Sequence, residues 1–348
     1  LVKRVWFASV MAGAGLIALS AQAASAPKPK ADTPPPLING HSSLTGVWTN
    51  ASITNLARAR GVTKLVLTPD EAKAMAASSG NVTRAQRDAK PSDLSIDITK
   101  DGNAEAGYNA GWLDPGMAYG LVKGEYRTSW IIDTPNDQLP LTPLGQAQSR
   151  IAAGRQRDAA GPESLAPNDR CLIGSRGSGG PGMLNNLYNN NYQIVVSKDA
   201  VAIDIEMVHD VRIAPLFADK KTALANHLAS NIKPWLGDAV AWWEGDTLVI
   251  ETTHVNPEQG GYGPIFLSDQ GKVTERLKRV SASQILYTFE VEDPVYYTQT
   301  WHAEMSLTAM KGQVYEYACH EGNYAMEGIL AGARDAEAAA KLKPTAAK

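Results

Sequence analysis

From residue 192 onward, apolar and polar residues alternate with a period of two, the pattern of half-buried β-strands. Val201, Ile203, Ile205 and Met207, for example, alternate with Ala202, Asp204, Glu206 and Val208. The same rhythm predicts strands over 192–197, 211–216, 240–243, 247–255, 273–280, 285–292, 299–307 and 314–320. Turn-forming breaks join them: Lys198-Asp199, Glu244-Gly245-Asp246 with glycine where positive φ is wanted, and 281–284. Successive strands with short connections predict an antiparallel meander. With one more strand near residue 46 there are enough to close a barrel. Periods of two dominate, so helix-bundle and parallel α/β folds are poor readings.

Between 51 and 167 the signal is mixed. Thr68-Pro69-Asp70-Glu71 offers an N-cap, a proline at the first helical position and acids in the first turn, which predicts a short helix. Thr142-Pro143 predicts a second, running to about residue 157. Gly- and Pro-broken pieces such as 102–120 read as loops with short strands. This half is expected to be an elaboration on the barrel, with a separate small helical domain as the alternative. Gly177-Ser178-Gly179-Gly180-Pro181-Gly182 precedes an Asn-rich run and lacks the Lys-Ser/Thr of a phosphate loop. It is expected to be a flexible loop over one barrel mouth.

The start of the chain changes the compartment. Lys3 and Arg4, a short apolar run over 5–19 and Ala21-Gln22-Ala23 predict a signal peptide over 1–23. A Pro/Lys/Ala linker follows over 24–43, then one domain over 44–332 and an Ala/Lys-rich tail over 333–348. The expected location is periplasmic or secreted, with no stable membrane span after cleavage. Net charge is −3 with both signs scattered, so no basic stripe marks a nucleic-acid partner. Cys171 and Cys319 are the two cysteines, and an even count in an exported chain favours a disulfide between them. The rival is a nucleophilic thiol at Cys319, set back because its neighbour His320 would point to the opposite strand face.

The densest chemistry lies in 314–324. Read as a strand, this segment puts Glu316 and His320 on one face and Tyr315, Tyr317, Cys319 and Glu321 on the other. His302 and Glu304 share a face of the preceding predicted strand, so a His/Glu cluster could form across the pair. Metal-free acid/base work, a zinc site without a spacing signature, or mutual satisfaction in a polar layer are all consistent with it. Glu206, His209 and Arg212 form a second group, in which Arg212 could hold a carboxylate or make a surface ion pair at a solvated turn; Arg170, beside Cys171, is a similar candidate. Trp243, Tyr192 and Tyr317 supply flat apolar surface with polar tips, suited to an aromatic ligand or to core packing.

Four segments carry a resemblance: Asp169-Arg170-Cys171-Leu172, Trp243-Glu244-Gly245-Asp246-Thr247-Leu248, Val291-Glu292-Asp293-Pro294 and Tyr315-Glu316-Tyr317-Ala318-Cys319-His320-Glu321-Gly322-Asn323-Tyr324. They resemble an exported bacterial family of sphingomonad and acidobacterial type, over roughly 44–334. The resemblance implies a secreted β-rich protein and assigns no catalytic residue. Gly46-Val47-Trp48 resembles the opening strand of calycin barrels, where the Trp plugs one end. The chain also resembles sphingomonad enzymes that decarboxylate or cleave lignin-derived aromatic dimers without a cofactor. Phenolic acid decarboxylases, calycin-like barrels using Arg, Tyr and Glu, give a fold analogy in the same direction.

The expected fold is therefore mainly β, an antiparallel calycin- or lipocalin-like barrel with a helical and loop elaboration in its N-terminal half. The expected function is a cofactor-independent lyase, releasing CO2 or formaldehyde from a small aromatic substrate in a barrel pocket. Glu316 and His320 would relay protons, with Tyr192 or Tyr317 holding a developing oxyanion. His209 would assist them, while Arg170, Arg212, Glu206 and Trp243 would bind substrate. A small aromatic molecule is the expected partner, with homo-oligomerisation open. The alternatives are a non-catalytic binding protein for a hydrophobic or aromatic ligand and a metal-dependent hydrolase.

Overall fold

The alternating segments assemble into one nine-stranded antiparallel sheet that curls until its two edges almost meet. The computed structural model describes residues 37–38, 40–88, 113–155 and 159–342. The expected signal peptide, most of the linker, part of the 102–120 loop region and the last six residues of the expected tail lie outside them. Six short strands come first: β1 (Leu37–Ile38), β2 (His41–Ser42), β3 (Gly46–Thr49), β4 (Val66–Leu67), β5 (Leu121–Val122) and β6 (Glu125–Arg127). Then follow β7 (Asn191–Val196), β8 (Ala200–Ile205), β9 (Asp210–Pro215), β10 (Asp238–Glu244), β11 (Thr247–Thr253), β12 (Lys272–Arg279), β13 (Gln284–Glu292) and β14 (Trp301–Ala309).

The large sheet runs β10-β11-β12-β13-β14-β3-β7-β8-β9, every pairing antiparallel. A parallel bridge between Leu216 and Ala241, with Phe217 N donating to Ala241 O at 2.9 Å, brings the β9 edge to β10. The expected meander is thus present, and the Gly245-Asp246 turn joins β10 to β11 with Glu244 opposite Thr247. The wall is weakest between β14 and β3, which share only two residue pairs. Farther along β14, the segment 130–132 takes the free edge: Glu304 N donates to Trp130 O and Ile132 N to His302 O. Trp130 and Ile131 belong to the barrel's own core, so the N-terminal half is wedged into the wall.

Inward positions carry Tyr192, Ile203, Leu248, Tyr287, Phe289 and Trp301, all at most 2 % exposed. Trp48 is buried in the same core. Its Nε1 donates to Leu44 O at 2.9 Å, and the Arg279 guanidinium lies 4.7 Å from its ring centroid. Outside, α4 (Lys220–Leu224) covers Val240, Trp242 and Val249 through Ala223 and Leu224.

The first predicted helix is α1 (Pro69–Ala77), which has a full capping box. Thr68 Oγ1 accepts from Glu71 N, while the Glu71 carboxylate accepts from Thr68 N, a device contributing about 1 kcal/mol. The neighbouring α2 (Gly80–Asp88) follows it. The second predicted helix is α3 (Pro143–Arg155).

Several expectations are corrected. Residues 314–320 form no strand and join no ladder; Met310 N is the last to pair with the sheet, to Val47 O. From there the chain runs as an irregular strap into a turn at 319–322, because β3 already occupies the β14 edge where 314–320 would have to pair. The Gly-rich loop is not a flexible cover: 178–184 are all buried. The ordered body begins before residue 44, with His41 and Ser42 in β2. The tail is helical as far as Leu342, as the C-terminal half of α6 (Tyr324–Leu342). Between them, α5 (Pro257–Gly260) caps a turn through Asn256.

Candidate functional site

The barrel interior holds a polar cluster built around the Gly-rich loop. Arg212 on β9 and Glu275 on β12 point inward, where Arg212 Nη1 donates to Glu275 Oε1 at 3.0 Å and Nη2 to Oε2. The same Oε1 accepts from Tyr287 Oη at 2.5 Å and from Gly182 N at 3.2 Å. Tyr287 Oη in turn accepts from Met183 N at 2.9 Å. Tyr192 Oη donates to Ser178 O and accepts from Asn50 Nδ2, each at 3.1 Å. Loop backbone groups that would otherwise be orphaned are therefore satisfied by side chains from the wall.

Electrostatics follow the geometry. Burial opposes ionisation of Glu275, but the Arg212 charge and the surrounding donors outweigh it and hold its carboxyl below the ordinary range. Burial pushes the Tyr192 and Tyr287 phenols up, and the adjacent Glu275 carboxylate raises Tyr287 further. At the loop's start, Asp210 Oδ2 accepts from Gly174 N at 2.8 Å, and burial raises its carboxyl to about 6. The loop can lie this close only as glycine. A Cβ on Gly180 would stand 2.6 Å from Arg212 Nη1, and one on Gly182 2.6 Å from Ile265 Cδ1.

Outside the barrel, the strap 313–323 is pinned to 168–171 by the Cys171–Cys319 disulfide, with Cα atoms 5.8 Å apart. Between them opens a cleft of about 700 Å³, within the size range of small-molecule sites. Asp169, Glu206 and Glu316 contribute carboxylates to it, and Tyr188, Tyr315 and Tyr317 contribute rings. Glu206 is fixed: Oε2 accepts from Asn191 Nδ2 at 2.7 Å and Oε1 from Tyr315 N at 3.2 Å. Asn323 Nδ2 donates to Asp169 O at 2.9 Å. Burial raises the Asp169 carboxyl above its usual value, against a hydrogen bond from Asn168 that lowers it. Lys, Arg and His are missing from this lining.

Of the residues singled out in the sequence, the structure brings Glu206, Glu316, Tyr317, Cys171 and Cys319 to this cleft. The others are dispersed. His320 is exposed on the 319–322 turn, and His209 is exposed with φ +57° at the end of the short helix before β9. Arg170 pairs with Glu258 at 2.9 Å. Arg212 and Tyr192 are walled into the interior cluster. Trp243 stacks on His41, ring centroids 4.1 Å apart, while His41 Nδ1 meets Gly245 O at 2.9 Å.

The expected cluster of His302 and Glu304 with Glu316 and His320 does not form. His302 is held between Asp133 (2.6 Å) and Glu290 (3.0 Å), and Glu304 faces Lys123 and Arg127. A second cluster, unforeseen, joins His227 to Asp238 at 2.7 Å, with Glu251 and His254 beside them. Among the described residues no group of three or more His, Cys, Asp or Glu is arranged to hold a metal ion. No described helix is long and apolar enough to cross a membrane.

Sequence reasoning missed Glu275, Tyr287, Asp169 and Tyr188. Glu275 had a signal, a carboxylate between Val273 and Leu277 on the apolar side of a strand. Its partner became visible only once the strand order brought β9 and β12 around one lumen. Family models, curated proteins and solved structures give no match to this chain.

Proposed function

We propose that this chain is an exported binding protein for a small aromatic ligand, and that the disulfide-braced cleft is its site. The observation that carries the reading is the convergence of Asp169, Glu206 and Glu316 with Tyr188, Tyr315 and Tyr317 on one cleft of about 700 Å³. Flat rings offer apolar faces to an aromatic body, and carboxylates accept hydrogen bonds from hydroxyl or ammonium groups. With three acids and no basic side chain among the described residues of the lining, an anionic ligand would be repelled. The favoured ligand is a neutral phenolic alcohol or an aromatic cation, not an aromatic acid. A disulfide belongs to an oxidising compartment, which supports export.

A second reading, a cofactor-independent lyase of the formaldehyde-releasing type, draws on the same cleft. Glu316 and Tyr317 lie in it together, and burial raises the Asp169 carboxyl above its ordinary value, the direction a proton donor needs. One experiment separates the two. Purified protein is titrated calorimetrically with a panel of phenolic alcohols, phenolic acids and aromatic amines, and the recovered compounds are examined by mass spectrometry. Saturable binding with intact ligand supports the carrier, whereas formaldehyde release lost in Glu316→Gln supports the lyase. Binding unchanged in both Glu316→Gln and Tyr317→Ala ends both readings.

A further inference from the structure

A second cleft, of about 500 Å³, opens where the N-terminal elaboration meets the end of the β13–β14 pair. Its chemistry is the opposite of the first. Among the described residues that line it there is no Asp, Glu, Lys, Arg or His. One side carries hydroxyl and amide groups, among them Thr49, Ser281, Ser283, Ser306, Thr308 and Gln284, and Met117, Leu121 and Trp130 add apolar surface. Facing them from the elaboration are the rings of Tyr119 and Tyr126, both half-buried. Asn50, also in the lining, is buried. Its Nδ2 is spent on Met183 O and Tyr192 Oη, and its Oδ1 has no hydrogen-bond partner.

We infer that this cleft binds a neutral carbohydrate. A hydroxyl both donates and accepts, so a wall of Ser and Thr matches a ligand whose own groups do both. The apolar C–H faces of a pyranose ring suit flat aromatic surfaces, and tyrosine presents such a surface at low conformational cost. The uncharged lining gives no compensation for desolvating a phosphate, carboxylate or ammonium group, so ionic ligands are selected against. The volume is that of one or two sugar rings, within the roughly 300–1,000 Å³ of small-molecule sites. The site is independent of the disulfide-braced cleft and does not rest on the function proposed for it.

The test uses the full chain and isothermal titration calorimetry against neutral glucose-, mannose-, xylose- and N-acetylglucosamine-based hexasaccharides, with oligogalacturonate as the charged comparison. The expected result is saturable binding of at least one neutral oligosaccharide and none of the acid. Tyr126→Ala should weaken that binding at least tenfold. Ser283→Arg, an exposed position that would place a long charged side chain at the cleft mouth, should do the same without disturbing the core. Tyr315→Ala, in the other cleft, should leave it unchanged. Failure of every neutral oligosaccharide to bind would overturn the inference. So would binding that survives both Tyr126→Ala and Ser283→Arg, or equal affinity for oligogalacturonate.

Discussion

Arg212 and Glu275, 63 residues apart in sequence, form a two-pronged ion pair inside the barrel, with side chains 3 % and 0 % exposed. A pair so enclosed has lost its hydration, and the attraction between the partners offsets that loss only while both are present. It also collects Tyr287 Oη, Gly182 N and Thr252 Oγ1. Removing one partner would strand a charge in an apolar lumen. Arg212→Met or Glu275→Leu should each cost roughly 3–5 kcal/mol. The double variant should cost clearly less than the sum, because no bare charge remains. Urea unfolding of the four proteins measures this, and additivity of the two losses would show that the pair is not coupled.

Gly182 packs closely against Ile265 and Phe289. Its φ is +75°, and an added Cβ would meet Ile265 Cδ1 at 2.6 Å and Phe289 at 3.3 Å. Gly182→Ala therefore combines backbone strain with overpacking, together about 2–4 kcal/mol of destabilisation. Gly245→Ala is the control: it shares a positive φ of +58° but meets nothing within 4 Å. It should lose about 1 kcal/mol from the backbone alone. Equal melting shifts for the two would refute close packing of the loop.

Asp210 ties the loop's entry to the barrel through Gly174 N. Burial raises its carboxyl to about 6, above the unfolded value near 3.9. Between those values the folded state keeps a proton that the unfolded chain has released. Stability from this group is thus greatest below about pH 4 and falls as pH rises to about 6. Asp210→Asn keeps an acceptor for Gly174 N and abolishes the charge. It should stabilise the protein above pH 6 by roughly 1–3 kcal/mol and change little at pH 4. Denaturant curves at the two pH values check the sign, and a stabilisation that is the same at both would refute it.

The Cys171–Cys319 bond closes a loop of 148 residues. In the chain-entropy account, so long a loop contributes up to roughly 5 kcal/mol by restricting the unfolded chain. The strap it holds is also joined to the rest through Tyr315 N to Glu206 and Asn323 Nδ2 to Asp169 O. Reduction should free 313–323 and α6 first, while the sheet stays folded. Hydrogen exchange should show loss of protection in α6 under reductant with β7–β14 unchanged. Simultaneous loss in both would contradict this hierarchy.

The barrel strands were legible in the sequence because period-two alternation is a local property, read without knowing any partner. Glu244-Gly245-Asp246 and Thr68-Pro69-Asp70-Glu71 were legible for the same reason: turn and cap chemistry is written within four residues. The disulfide followed from cysteine count and compartment. The 314–320 segment alternates too, yet its expected pairing edge is taken by β3 and 130–132, an outcome no local pattern encodes. The candidate site was only half legible. Glu316 and Tyr317 reach the cleft as chain neighbours, but Glu206, grouped in the sequence with His209 and Arg212, meets Tyr315 across 109 residues, and the partner of Arg212 lies 63 residues away. The glycines at 177–182 announced an unusual backbone without saying that it lies inside the sheet.

That enclosed loop constrains how the molecule can be assembled. Residues 178–184 precede β7 to β14 in the chain yet end up at the centre that those strands encircle. The circuit cannot be completed around nothing. The last strands have to wrap a segment that has already turned back on itself, with Glu275 and Tyr287 arriving late to grip it. Such distant contacts make for slow maturation, in which the early hairpins stand open until the keystone is seated.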